Sequence, residues 1–334
     1  MGSNRRDVLL AGAGAMLAPW TAAAQTEQPQ QPRFKIVATG LQFPEGPIAL
    51  ADGTLLVCEI ERRTLTRIMP DGRKEIVATV GGGPNGAALG PDGACYISNN
   101  GGLTYASYGP NPPQGPGSIQ RVDLKTGQFT TLYGAVNGNP LVRPNDIVFD
   151  NSGGFWFTDA GRNNARTRDH AGIYWARADG SEIREVIYPA VSANGIALSP
   201  DFKTLYVAQS RINAYRITAP GEVEQERSWI QFGRKVEGSR PKLELLALPN
   251  ADDGFDSMKV EADGRIVVGT LGAGGLTVIS ADGRERSHVP LPDVMTTNLA
   301  FGGPDMKTAF VCLSSRGELA AVDWPRPGLR LVYA

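Results

Sequence analysis

Short apolar runs alternate with polar turns along most of the chain, and the pattern predicts β-hairpins. Residues 143–160 show it most clearly. There the polar pair Asn145-Asp146 precedes two apolar runs, 147–149 and 155–157, and a turn that ends at Gly153 separates them. Apolar runs of this length, bounded by turn residues, are typical of strands, and glycine tolerates the positive φ of a tight turn. The segment is therefore predicted to be one hairpin with a polar residue at its start.

The same arrangement occurs six times, and each copy begins with a carboxylate or amide residue. A tight turn follows that residue after seven or eight positions, and successive copies begin 40 to 62 residues apart. A constant internal spacing, repeated at such intervals, indicates a repeat architecture. The residues that begin the copies are Glu45, Asn85, Asn145, Asn194, Asp256 and Asn298.

Each copy continues with a third apolar segment, and most continue with a fourth. Four antiparallel strands per repeat, arranged around an axis, form the blade of a β-propeller. We therefore predict an all-β fold, a six-bladed β-propeller. The strand predicted at 34–38 precedes the first copy, and we expect it to complete the last blade and leave no free sheet edge. A β-sandwich has similar strand spacing, but it does not explain the constant offset.

The N-terminal residues have the pattern of an export signal. A twin arginine, Arg5-Arg6, precedes an apolar run that ends near Trp20, and three alanines follow at 22–24. This order is typical of a cleaved twin-arginine signal, and the run is too short to span a bilayer. We predict a signal peptide over 1–24, a linker over 25–33 and one propeller domain over 34–334. The mature protein is expected in the periplasm or outside the cell.

Charge and composition limit the classes of partner. The chain has 334 residues, 41% of them hydrophobic, with a net charge of −1 and no basic stripe. Nucleic acid is therefore not an expected partner, and stable membrane insertion is not expected either. A small-molecule substrate is the partner that we predict, whereas the sequence does not determine the oligomeric state.

The six residues that begin the copies are predicted to form a ring at one end of the central channel, because first strands line that channel. Capping of strand starts accounts for Asn85 and Asn298. It accounts poorly for Glu45 and Asp256, because two carboxylates near an apolar axis repel each other unless a cation lies between them. Carboxylate and amide oxygens are ligands for a hard divalent cation. Calcium is the leading candidate, with magnesium, manganese or zinc as alternatives.

Long connections are predicted on the same face as the ring, at 99–117, 134–144, 161–172 and 233–255. Long loops over a channel mouth are typical of a substrate pocket. The sequence does not assign roles to the polar and aromatic residues within them, which are Tyr105, Tyr108, Arg162, Asn163 and His170.

Four short motifs resemble those of the SMP-30/gluconolactonase-like six-bladed propellers, a family that includes lactonases. They are F-P-E-G-P at 43–47, R-P-N-D at 143–146, A-N-G at 193–195 and F-D-S-M at 255–258. The resemblance covers about residues 34–334. It implies that Glu45, Asn194 and Asp256 hold a divalent metal.

The resemblance also implies roles for two residues of the R-P-N-D motif. Asn145 would lie near both metal and substrate, and Arg143 matches an arginine that contacts substrate in some members. One departure affects the site, because the usual P-D-G around the family's aspartate is replaced here by F-D-S at 255–257.

The activity that the resemblance implies is metal-dependent hydrolysis of a lactone or a related small cyclic ester. The metal would polarise the carbonyl group, Asp256 would activate water, and Asn145 and Arg143 would hold substrate oxygens. A serine triad is not supported, because no G-x-S-x-G motif occurs. Three alternatives stay open: phosphoester or fluorophosphate hydrolysis, lyase or isomerase chemistry on the same scaffold, and a non-catalytic propeller stabilised by its metal.

Overall fold

A computed structural model of the chain describes residues 33–102, 115–163, 166–190, 193–208, 210–231, 234–251 and 253–333. Within these ranges the chain forms strands and turns but no helix. No candidate for a membrane-spanning helix is therefore found in the described part of the chain. The predicted signal peptide at 1–24 lies outside the described residues.

The first two blades each consist of four consecutive antiparallel strands, as the repeat predicts. The first strand of each blade is innermost and lines the central channel. Together with one strand that precedes them, their strands are β1 (Phe34–Ala38), β2 (Pro44–Ala49), β3 (Leu55–Glu59), β4 (Thr64–Ile68), β5 (Lys74–Thr79), β6 (Pro84–Leu89), β7 (Cys95–Asn99), β8 (Ser118–Val122) and β9 (Phe129–Tyr133).

The third and fourth blades have the same core with added hairpins. A small ribbon precedes the third blade: β10 (Ala135–Val136) and β11 (Asn139–Pro140). The third blade contains β12 (Pro144–Phe149), β13 (Gly154–Asp159), β14 (Ala171–Arg177) and β15 (Ile183–Ala190). The fourth blade and its insertion contain β16 (Ile196–Leu198), β17 (Thr204–Ala208), β18 (Ile212–Ala219), β19 (Glu222–Val223), β20 (Gln225–Gln231), β21 (Arg234–Pro241) and β22 (Glu244–Ala247).

The last two blades close the ring as the sequence predicts. Their strands are β23 (Gly254–Val260), β24 (Ile266–Leu271), β25 (Gly275–Ile279), β26 (Arg286–Pro290), β27 (Thr296–Gly302), β28 (Thr308–Leu313) and β29 (Glu318–Asp323). The outer strand of the sixth blade is β1, which pairs antiparallel with β29 and places Phe34 opposite Val322. The six-bladed propeller and its closure by the N-terminal strand are thereby confirmed.

The insertion in the fourth blade lies on the face opposite to the predicted one. The outer strand β22 pairs with β18, and Ala247 lies opposite Ile212 at the start of that third strand. The hairpin β20–β21 therefore leaves the blade after the third strand and returns before the fourth. That edge is remote from the starts of the first strands, so the prediction that all of 233–255 covers the ring is wrong. Only the part after β22 belongs to the ring face.

The hydrophobic core consists of six clusters, one between each pair of neighbouring blades. Between the third and fourth blades, Trp156 and Trp175 are almost completely buried and pack with Leu205 and Tyr215. Each large side chain buried in this way contributes about 1.5–3 kcal/mol of transfer free energy. Packing between blades therefore holds the first strands, and the residues at their starts, in place around the channel.

Glycines bring neighbouring first strands into backbone contact at the ring end of the channel. A Cβ atom on Gly46 would lie 2.2 Å from the carbonyl oxygen of Asn85. A Cβ atom on Gly195 would lie 2.4 Å from the carbonyl oxygen of Asp256. A side chain at either position would therefore push two first strands apart.

Replacing Gly195 with alanine is expected to lower the free energy of unfolding by about 1–3 kcal/mol, because the methyl group would displace the backbone of β23 at Asp256. Gly134→Ala is the matched control, since a Cβ atom there would meet no atom within 4 Å. Urea denaturation followed by tryptophan fluorescence measures both variants. Equal losses in the two would contradict the steric explanation.

Candidate functional site

A β-bulge at the start of the first strands directs polar residues into the channel. In β2, β6, β12, β23 and β27, two residues oppose a single residue of the neighbouring second strand. An extra residue of this kind bends the strand and re-aims side chains, and bulges are common beside active sites. In four of these blades the extra residue places at least one polar side chain at the channel mouth, whereas in β2 the two bulge residues are Gly46 and Pro47.

The register shows that the six predicted ring residues do not occupy six equivalent positions. Asn85, Asn145 and Asp256 do share one position, the first residue of the bulge. Asn194 lies at the corresponding point of the fourth blade, two residues before the pair Ile196–Val207, and its N–H donates to the Ala208 carbonyl oxygen. Glu45 lies one residue before that position. Asn298 lies one residue after it, at the position that Asp146 occupies in the third blade. The predicted alignment is therefore wrong for two of the six, because spacing to the next turn cannot locate an extra residue within a bulge.

Glu45 is buried and bound by donors from its own blade and from the sixth. Its relative exposure is 3%. The Oε2 atom accepts a hydrogen bond from the Gly46 N–H at 3.0 Å and one from Asn298 Nδ2 at 2.9 Å. Asn298 therefore does more than cap a strand, although its Oδ1 does accept the Leu299 N–H at 2.8 Å. It ties the first blade to the last at the level of the ring.

Burial raises the pKa of both ring carboxylates, and neighbouring negative charges add to the effect. For Glu45 the largest cause is burial, and hydrogen bonds with Thr297 and Asn298 act in the opposite direction. For Asp256 burial again comes first, followed by the charge of Glu45, and its pKa lies well above the ordinary value. The side chain of Asn194 hydrogen-bonds Asp256 and partly offsets these effects. Two carboxylates that repel each other in a buried site favour the binding of a cation.

Two amide oxygens of the ring have the chemistry of metal ligands. The Oδ1 atoms of Asn145 and Asn194 are buried and accept no hydrogen bond from any described residue. A buried polar atom without a partner costs free energy, and a bound cation would remove that cost. The described residues contain no group of three or more His, Cys, Asp and Glu side chains arranged for a metal. A ligand set here must therefore include amides, and two carboxylates with two amides fit a hard dication.

Asp146 belongs to the site, although the sequence alone did not predict a role for it. It is only 1% exposed, its charge raises the pKa of both Glu45 and Asp256, and its Oδ2 accepts no hydrogen bond. Its Oδ1 is engaged by the N–H of Ile147 at 2.9 Å. The R-P-N-D motif contained the only signal, since Asp146 directly follows Asn145.

Arg143 lies just before the ring, where Asp159 organises the backbone. The carboxylate of Asp159 accepts the N–H groups of Val142 and Arg143 at 2.7 and 2.8 Å. Burial raises the pKa of Asp159, while these hydrogen bonds and the charge of Arg143 act in the opposite direction. The backbone of the half-buried Arg143, two residues before Asn145, is therefore held in a fixed position.

The polar and aromatic residues of the long loops differ in their contacts. Tyr105 and Tyr108 lie outside the described residues. Arg162 donates from Nη2 to the Gly115 carbonyl oxygen at 2.7 Å, which links two connections on the ring face. Asn163 forms an isolated bridge with Arg168, and the ring of His170 packs edge-on against Tyr188. None of these contacts assigns a substrate role.

A family model described as the SMP-30/gluconolactonase/LRE-like region matches residues 43–315. Among similar proteins, the Lactonase drp35 of Staphylococcus saprophyticus is 26% identical over 264 residues, which cover 78% of this chain and 74% of that protein. The Gluconolactonase of Zymomonas mobilis is 23% identical over 312 residues, which cover 85% of this chain and 77% of that one.

Solved structures of similar proteins have the same architecture. A gluconolactonase from Xanthomonas campestris superimposes with a TM-score of 0.67 at 22% identity, over 88% of this chain and 90% of that one. A calcium-binding protein, regucalcin, from Agrobacterium tumefaciens has a TM-score of 0.66 at 20% identity, over 90% of this chain and 98% of that one. At these identities the two structures show the propeller fold alone.

Proposed function

Because this chain belongs to the SMP-30/gluconolactonase/LRE-like family, we propose that it is a metal-dependent hydrolase of a lactone or a related small cyclic ester. The observation that carries the proposal is the pair of buried carboxyl groups, Glu45 and Asp256, beside two amide oxygens that accept no hydrogen bond from described residues. The names of the two similar proteins, lactonase and gluconolactonase, support the substrate class.

Four side chains would hold the metal: Glu45, Asn145, Asn194 and Asp256. They offer only oxygen ligands, which suits calcium first and also magnesium, manganese or zinc. A similar fold is found in a calcium-binding protein. When bound, the dication would supply Lewis-acid polarisation of the lactone carbonyl and favour the charge that develops on its oxygen.

Asp256 is the residue that we assign to proton transfer. Its carboxylate would accept a proton from the attacking water as the oxygen adds to the carbonyl carbon. The same proton would pass to the ring oxygen as the acyl–oxygen bond breaks, which leaves a hydroxy acid. A general base of this kind typically contributes about 10²–10⁴-fold in rate. The buried position of Asp256, 7% exposed, limits competition from bulk water.

Asn145 and Arg143 are assigned to substrate orientation. The Asn145 amide lies at the shared ring position, so its side chain can face both the metal and the substrate. Arg143 would donate from its guanidinium to a hydroxyl or carboxylate oxygen of the substrate, and such charge-assisted hydrogen bonds are strong. Correct positioning of carbonyl and water is itself a large part of catalysis.

A panel of lactones, assayed by proton release, tests the function. Chelator-treated protein is expected to be inactive, and addition of calcium, magnesium, manganese or zinc is expected to restore turnover to different extents. Phosphoester and fluorophosphate substrates belong in the same panel. Full activity without metal would contradict the mechanism, and metal-loaded protein that hydrolyses no lactone would contradict the substrate class.

We also propose that the mature protein is exported in folded form to the periplasm or beyond. The support is the twin arginine at 5–6 with its apolar run and alanines. Replacing both arginines with lysine is expected to retain the protein in the cytoplasm, as cell fractionation would show. Unchanged export of that variant would contradict the proposed route.

A further inference from the structure

One lysine lies inside the central channel, next to the ring of oxygen groups. Lys259 is on β23, beside the fully buried Met258, and its side chain is 14% exposed. In the other five blades the register places small apolar residues at the equivalent position. They are Ala49, Ala88, Val148, Ala197 and Ala300. All six residues line the same channel cavity, and the small side chains leave room for the lysine.

The ammonium group of Lys259 contacts blades on both sides of the channel. Its Nζ atom lies 3.8 Å from Asp146 Oδ2 in the third blade. It also donates to Asn298 Oδ1 in the sixth blade at 3.4 Å and to the carbonyl oxygen of Met258 at 3.1 Å. Asn298 in turn donates from Nδ2 to Glu45. The lysine is therefore connected to a candidate metal ligand through one amide.

The contacts of Lys259 change the net charge of the buried carboxylates in the channel. Three buried carboxylates, Glu45, Asp146 and Asp256, act on one another electrostatically. A buried carboxylate is stabilised only by hydrogen bonds or by a paired charge. The Oδ2 atom of Asp146 accepts no hydrogen bond, so Lys259 is the cation placed to stabilise it. One ammonium changes the formal charge of the group from −3 to −2, the charge that a dication neutralises.

We propose that Lys259 is a positioning residue that matches the charge of the site to a divalent ion. Its pairing with Asp146 restrains that carboxylate below the ring, and its bond to Asn298 keeps the amide N–H directed at Glu45. The proposal rests on the proposed metal-dependent function, and it concerns residues to which that function assigned no role.

Replacing Lys259 with methionine tests the proposal, because methionine keeps the length of the side chain and removes the charge. Chelator-treated protein is titrated calorimetrically with Ca²⁺ and with Tb³⁺, at a pH well above the ordinary carboxyl range. The ratio of Tb³⁺ to Ca²⁺ affinity is expected to rise by about tenfold or more, since the more negative site favours the higher ion charge. Lys259→Arg is expected to keep the wild-type ratio. Lys307→Met, at an exposed position directly before β28, controls for loss of a surface charge.

Removing the charge of Asp146 is expected to change the affinity ratio in the opposite direction. Asp146→Asn retains an acceptor for the Ile147 N–H and should lower the Tb³⁺ to Ca²⁺ ratio below that of the wild type. The double variant K259M/D146N restores the formal charge of −2 and should restore the ratio. These two proteins carry the test if K259M alone fails to fold.

The outcomes separate this inference from the proposed function. A wild-type protein that binds neither ion would refute the metal-dependent function itself. A wild type that binds Ca²⁺, together with ratios unchanged in K259M and D146N, would leave that function standing and overturn the role of Lys259. A loss of stability without a change in ratio would likewise overturn it, because it would indicate a structural role alone.

Discussion

Replacing Asp256 with asparagine is expected to lower kcat/KM for lactone hydrolysis by about 10³-fold or more. Loss of a general base alone costs about 10²–10⁴-fold, and the change also removes one of two carboxylates that would hold the dication. Asparagine has nearly the same shape, so the fold should persist. The measurement is the initial rate of proton release at saturating calcium, with the metal content of the same samples determined by atomic emission.

Asp150→Asn is the matched control for loss of a buried carboxylate. Asp150 is 5% exposed and accepts from Trp175 Nε1 at 2.8 Å, at the turn between β12 and β13. That turn lies at the opposite end of the strand from the ring. The control is expected to lose stability but to keep its metal content and its kcat/KM. A wild-type rate in Asp256→Asn would remove that residue from the mechanism.

Without metal, the protein is expected to become more stable as the pH falls from the neutral range toward the ordinary carboxyl pKa of about 4. Glu45 and Asp256 have a raised pKa in the folded state. Their protonated forms therefore stabilise the folded protein below the unfolded-state pKa, and this contribution is lost as the pH rises through the folded-state pKa. Exposed carboxylates with a lowered pKa, such as Asp201 and Asp282, act oppositely. The stability that such exposed carboxylates contribute is lost only when the pH falls below the ordinary carboxyl pKa of about 4.

Bound calcium should reverse this dependence, because protons and the metal compete for the same oxygens. At a thousandfold excess over its dissociation constant, a ligand adds about 4 kcal/mol, which is about 6 °C in the midpoint for a chain of this size. The rise of the unfolding midpoint caused by calcium should be larger above neutral pH than near pH 5. Thermal unfolding with and without chelator at the two pH values measures it.

Asp256→Asn provides the control for the pH experiment. It removes one repelling charge, so the metal-free variant should be more stable than metal-free wild type at neutral pH and should depend less on pH in that range. It should also gain little stability from calcium. A metal-free wild type whose stability falls steadily on acidification from neutral pH would contradict the assignment of raised pKa values to the ring.

Much of the fold could be predicted because local sequence patterns indicate the strands and the turns. The alternation of apolar runs with turns such as the one at Gly153 reports which residues face a sheet. The repeat of that pattern reports the blade count. The isolated run at 34–38 indicated a strand without a partner nearby in the chain, and pairing with β29 confirmed it. The prediction that the β20–β21 segment lies on the ring face was wrong, because the length of a connection does not indicate from which end of the blade it leaves.

The candidate site was only partly predictable. The types of residue at the starts of the copies were enough to indicate oxygen ligands, and Glu45, Asn194 and Asp256 matched quoted motifs. Their register was not accessible, because a bulge adds a residue without changing the apolar pattern. The sequence predicts no role for Asp146, because its neighbour Asn145 already occupies the position that the motif assigns to the site. Lys259 gave no signal, because a lone lysine in a strand ordinarily faces solvent.

The sequence by itself determined the number of blades, the strand that closes them and the oxygen-rich character of the first-strand residues. These follow from spacing between neighbours in the chain, which is a local property. The tertiary structure alone decided that Asn298 meets Glu45 and that Lys259 reaches Asp146. Such contacts join blades that are far apart in sequence. They exist only because closing the ring brings six first strands to one axis, where burial makes each charge depend on the others.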